Sequence, residues 1–79
     1  MDPAQIKALL EAKLPGCSAS VSSADNTHYE AVIVSPEFAG KRPLQRHQMV
    51  YSALGERMGG EIHALSIQAL TPEEQARRG

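Results

Sequence analysis

The stretch from Pro43 to Pro72 constrains this chain most, because its hydrophobic period changes there from helical to extended across a glycine pair. His47, Val50, Tyr51, Leu54 and Met58 fall at i, i+3, i+4, i+7 and i+11, one narrow stripe of an amphipathic helix. Pro43 suits the first helical position, where its missing N–H costs nothing. Gly59 and Gly60 supply left-handed conformations, so the helix is predicted to stop there. From Ile62 the pattern alternates. His63, Leu65, Ile67 and Ala69 share one face of a strand, and Ile62, Ala64, Ser66 and Gln68 share the other. The more apolar face should meet the helix stripe, which places His63 at the strand entrance on the side turned toward the core.

The residues before this unit supply its partners. Asp2-Pro3 reads as a cap and a first-turn proline. Ile6, Leu9, Leu10 and Leu14 then form a helical stripe that ends at Pro15-Gly16. Cys17, Ala19 and Val21 alternate with Ser18, Ser20 and Ser22, a strand with one small apolar face and one wet face. Ser23 to Thr27 is turn chemistry, and His28 to Ser35 is a second strand with Tyr29, Ala31 and Ile33 on one face. The short loop predicts an antiparallel hairpin. Ser35-Pro36-Glu37-Phe38 reads as a capped single turn, with Phe38 plugging a small satellite cluster. Thr71-Pro72-Glu73-Glu74 offers a cap and capping box, and with little apolar content in the tail this predicts a short C-terminal helix or a frayed end.

The order is therefore α-β-β-α-β: an α+β two-layer sandwich, a three-stranded mixed sheet with helices on one face, spanning residues 1–79 as a single domain. A right-handed crossover makes the third strand parallel to the second. Their starts and the turn at 23–27 then lie at one end of the sheet, so His28, Asp25 and His63 should cluster. Cys17 should lie at the opposite end, roughly 15–20 Å away.

Composition removes several classes of function. With one cysteine, Cys17, no internal disulfide can form. A net charge of −1 argues against a strong nonspecific polyanion binder. No apolar run reaches the length of a signal peptide or a membrane span, which points to a cytoplasmic protein without a membrane partner. Nothing resembles a nucleophile elbow, a phosphate loop or a carboxylate pair, so the chain is read as no enzyme. Three histidines without a C-x-x-C motif fall short of a protein-only metal site, and a two-ligand site completed by a partner is the metal reading that fits the count. His47, on the core stripe, reads as structural. Lys41, Arg42 and Arg46, before and within the first turn of the main helix, form a candidate nucleic-acid patch or a solvated flank.

The sequence also resembles the BolA family, and most closely its small bacterial (IbaG-like) members. The resemblance is carried by Val34-Ser35-x-x-Phe38-x-Gly40, Arg46-His47-Gln48-x-Val50-Tyr51, Ile62-His63-Ala64-Leu65-Ser66 and Thr71-Pro72-Glu73, with Thr27-His28-Tyr29 upstream. It implies a fold like a class II KH domain. It also implies a monothiol glutaredoxin as partner, with a 2Fe–2S cluster shared between the two chains and a partner-bound glutathione, and none bound by the isolated chain. The partner and glutathione would supply thiolates, and His63 would be this chain's ligand at the start of the last strand. The family's second ligand lies in the loop between the first two strands. That loop lacks cysteine here, and His28 is the nearest histidine, with Asp25 close to the loop-ligand position. The family also includes stress-responsive DNA-binding regulators of transcription, for which the basic residues Lys41, Arg42 and Arg46 are the candidate contacts. The Gly-x-x-Gly loop of KH domains is replaced by Ala39-Gly40-Lys41-Arg42.

Overall fold

The first helix, α1 (Pro3–Lys13), starts at a full capping box: the Asp2 carboxylate accepts from Gln5 N, and the Gln5 side chain accepts from Asp2 N. Its stripe buries Ile6, Leu10 and Leu14. These and the other positions are taken from a computed structural model that describes residues 1–60, 62 and 64–78. Gly16, at φ +67°, turns the chain into strand β1 (Ser18–Ser22), and a Cβ there would stand 3.2 Å from Pro36 Cγ. Glu11 does more than decorate α1. Its carboxylate accepts from Lys7 Nζ (2.5 Å) and from Ala19 N (3.0 Å), occupying an outward amide of an edge strand. The Lys7 ammonium, and then the Ala19 amide, hold the Glu11 carboxyl below the usual carboxylate range.

Strand β2 (His28–Val34) pairs antiparallel with β1, with Ser18 opposite Val34 and Ser22 opposite Glu30. Strand β3 (Ala64–Leu70) pairs parallel with β2, with His28 opposite Ala64 and Val34 opposite Leu70. The sheet order is β1-β2-β3, as the α-β-β-α-β reading requires. Ala19, Tyr29, Ala31 and Ile33 are buried on the inner face, and Leu65, Ile67 and Ala69 pack against the same core. The helices α1 and α2 (Pro43–Leu54) cover that face. Among the described residues, no helix is long and apolar enough to cross a membrane.

Four local expectations change. The main helix α2 ends at Leu54, not at Gly59-Gly60, because Gly55 adopts φ 59°, ψ −132° and diverts the chain into a single 3₁₀ turn, Gly55–Arg57. A residue with a Cβ resists that conformation, so the first glycine able to break the helix does so. Second, the buried line of α2 is rotated from the predicted stripe. Val50 and Leu54 are its centre, Met49 and Ala53 pack beside them, and Tyr51 is 42% exposed. Third, Phe38, in the 3₁₀ turn Pro36–Phe38 capped by Ser35, is no satellite: it is 0% exposed and belongs to the main core. Fourth, Ile62 is buried and bridges Met58, whereas Ala64 is exposed, so the β3 alternation does not extend back past Ala64. The facial assignment given to His63 rested on that alternation, and His63 itself lies outside the described residues.

The C-terminal helix α3 (Pro72–Arg78) forms through the expected capping box: Thr71 Oγ1 accepts from Glu74 N (3.2 Å), and Glu74 Oε1 accepts from Thr71 N (2.8 Å). It is tied down by Arg46 of α2, whose guanidinium donates to Glu74 Oε1 (2.7 Å) and to Ala69 O (2.9 Å).

Candidate functional site at the β-turn end of the sheet

The turn at 23–27 is built around one carboxylate. Asp25 Oδ1 accepts from Thr27 N and His28 N, each at 2.9 Å, and Asp25 Oδ2 lies 2.9 Å from His28 Nδ1. Ser23 Oγ donates to His28 O (2.6 Å) and accepts from Asn26 N (2.9 Å). Asn26 takes the left-handed conformation, φ 57°, that a short polar side chain tolerates. From below, the buried Tyr29 hydroxyl bonds the carbonyls of Asn26 (2.6 Å) and Met1. The backbone and imidazole donors of His28, followed by the Thr27 amide, hold the Asp25 carboxyl well below the usual carboxylate range.

His28 is therefore fixed at one ring nitrogen and open at the other. Its side chain is 71% exposed, with Nδ1 against a carboxylate. Since an ionised carboxylate only accepts, the neutral ring carries its proton on Nδ1 and keeps a lone pair on Nε2. Metal-binding imidazoles are commonly oriented in this way. The ring borders a groove of about 620 Å³ that Ser22, Ser23, Glu30 and Ser66 also line. Thr27 O accepts from Ala64 N (3.4 Å), which stitches the turn to the start of β3.

Asp25 and His28 thus come together beside Ala64, the residue that follows His63 in sequence. Cys17 does not join them. It precedes Ser18, which faces Val34 at the far end of β2, roughly 20 Å away at strand rise. Desolvation, and then the Glu11 charge, push the Cys17 thiol up, which disfavours the thiolate needed for ligation. Among the described residues, no group of three or more His, Cys, Asp or Glu could enclose a metal ion.

The basic candidates separate. Lys41 lines a second groove, about 610 Å³, between α1 and α2, together with Lys13, Gln45 and Gln48. Arg42 is exposed at the α2 cap, where Gln45 Oε1 accepts from its backbone N–H. Arg46 is only 12% exposed and is spent internally on Lys41 O, Ala69 O and Glu74, with its guanidinium 5.9 Å from the Phe38 ring centroid. Two features escaped sequence reasoning: the hydrogen bond that joins Asp25 to His28, whose proximity was expected, and Lys13 as a second lysine lining the Lys41 groove. An Asp three residues before a His across turn chemistry was the available signal for the first; nothing local signals the second.

Fold and site together define a small two-layer α+β domain that presents an oriented imidazole at the end of its sheet where β2 and β3 begin. The chain belongs to the BolA-like family: the family model described as BolA-like protein matches residues 5–74. It is similar to BolA-like protein 1 of Homo sapiens, 47% identical over 55 residues, which is 70% of this chain and 40% of the human protein. The DNA-binding transcriptional regulator BolA of Escherichia coli (strain K12) is 38% identical over 55 residues, 70% of this chain and 52% of that protein. The match thus spans about half or less of the length of these curated relatives. The solved structure of a bolA protein homologue from Coxiella burnetii superposes with a TM-score of 0.89 at 40% identity, covering 98% of this chain and 99% of that one.

Proposed function

We propose that this chain is a cytoplasmic, non-enzymatic adaptor in iron–sulfur cluster assembly and trafficking that shares a 2Fe–2S cluster with a monothiol glutaredoxin. The cluster is cargo held between two proteins. The partner and its glutathione supply thiolates, and this chain supplies imidazole from His63 and His28. The observation that carries the reading is the oriented, exposed His28 ring beside Ala64, the residue adjacent to His63 in sequence. Imidazole in place of thiolate lowers the negative charge around a cluster and raises its potential. Ligation by histidine also makes the shared centre sensitive to acid, because the ligand must be neutral.

Mixing the purified chain with cluster-loaded glutaredoxin and recording visible circular dichroism tests this. A new spectrum that His63→Ala abolishes and His28→Ala alters is expected. An unchanged spectrum on mixing, or one insensitive to His63→Ala, rejects the ligand assignment.

A second reading, a DNA-binding regulator, draws on the basic groove between α1 and α2. Its contacts are Lys41 and Arg42, extended by Lys13, with Arg46 in reserve because its guanidinium is occupied. It predicts DNA affinity that falls steeply with salt. Neutralising Lys41 and Arg42 without weakening DNA binding removes it.

A further inference from the structure

A histidine ligand works only if one ring nitrogen is presented and held outward. We infer that Asp25 is a positioning residue that presents His28 through Nε2. This rests on the cluster-sharing reading for its use, but its geometry stands apart from any cluster. One carboxylate performs two tasks with different atoms. Oδ1 closes the turn by accepting from Thr27 N and His28 N, and Oδ2 engages His28 Nδ1 at 2.9 Å. The backbone bonds fix where the strand begins, and the side-chain bond fixes which way the ring faces.

This division makes Asp25→Asn a selective probe. An asparagine Oδ1 can still accept from both amides, so the turn survives. Its Nδ2 replaces Oδ2 and donates, so His28 Nδ1 must accept and the ring proton moves to Nε2. The outward lone pair is then lost while the fold is kept. Ser23, whose hydroxyl is directed to His28 O, cannot substitute for the carboxylate at the ring. Among the described residues, the other charged side chain lining the groove is Glu30, two residues along the same strand and therefore on the same sheet face.

Long-range ¹⁵N–¹H spectra of the imidazoles, recorded on the whole chain at about pH 9 where histidine rings are neutral, read this directly. The expected wild-type pattern is a His28 proton on Nδ1; Asp25→Asn should move it to Nε2 with little change in amide shifts outside the turn. Wild-type His28 protonated at Nε2, or an Asp25→Asn ring like wild type, overturns the inference. Titration with cluster-loaded glutaredoxin supplies the second arm. Asp25→Asn should weaken the mixed-cluster signal roughly 10–100-fold in apparent affinity, as loss of an orienting partner does. If His28→Ala abolishes that signal and Asp25→Asn leaves it at wild-type strength, Asp25 does not position the ligand. If the tautomer shifts as expected but His28→Ala leaves the cluster signal unchanged, the positioning stands and the ligand role of His28 falls.

Discussion

Replacing Arg46 with alanine separates a structural arginine from a nucleic-acid contact. In the wild type the guanidinium donates to Lys41 O and Ala69 O, both at 2.9 Å, pairs with Glu74, and lies over Phe38. The bond to Ala69 joins α2 to β3, and the pair with Glu74 joins it to α3. Glu74 is a third exposed, so the ion pair itself is discounted for solvent screening. What remains is two hydrogen bonds from a charged donor to carbonyls and the packing of the stem against the core. A net hydrogen bond contributes about 1 kcal/mol and more from a charged donor, so the loss is about 2–3 kcal/mol. A chain of this length holds roughly 4–12 kcal/mol in total. At about 4–8 °C per kcal/mol, Arg46→Ala should lower Tm by roughly 8–24 °C. Thermal unfolding followed by far-ultraviolet circular dichroism measures it, with urea titration as a check that the slope is unchanged. Arg46→Lys keeps the charge but not the fork, and should recover less than half of the loss. A Tm within about 2 °C of wild type for Arg46→Ala would refute the structural reading and return this residue to the DNA-contact set.

Glu74 provides a pH prediction. Its Arg46 partner, followed by the Thr71 amide, holds its carboxyl down at about 2, below its ordinary value of 4.5. A depressed acid stabilises the fold above its unfolded value, so this contribution is complete above about pH 4.5 and disappears as pH falls toward 2. Stability measured between those limits should fall less steeply in Glu74→Gln than in wild type. Gly55→Ala should cost about 1–3 kcal/mol, because φ 59°, ψ −132° disfavours any Cβ although the space around it is open; urea unfolding reads this, and a neutral effect would mean that the helix end relaxes. Tyr29→Phe strips the hydroxyl from under the turn and should cost about 1–2 kcal/mol, with amide-exchange protection reduced first at residues 26–28; uniform loss across the sheet would argue against a local role.

Period and turn chemistry are local signals, and they settle the order of elements and the buried faces of α1 and β2. The alternation at Tyr29, Ala31 and Ile33, the capping residues Asp2 and Thr71, and the hairpin length are all encoded within a few neighbours, and the right-handed crossover then dictates a parallel β3. The same reasoning separates Cys17 from the turn at 23–28, as the pairing of Ser18 with Val34 at the far end of β2 bears out.

Tertiary structure decided what depends on contacts distant in sequence. Gly55 and Gly59 both take positive φ, so spacing alone does not choose between them, and α2 ends at the first. Phe38 joined the main core because the 3₁₀ turn carries it under α2, where Arg46 closes over its ring. Arg46 became a strut because Glu74, 28 residues on, returns to meet it. Asp25 and His28 lie three residues apart, yet their bond depends on a turn geometry that Tyr29 and the start of β3 hold in place. Spacing can name such a pair, but only the folded turn decides which carboxylate oxygen faces which ring nitrogen.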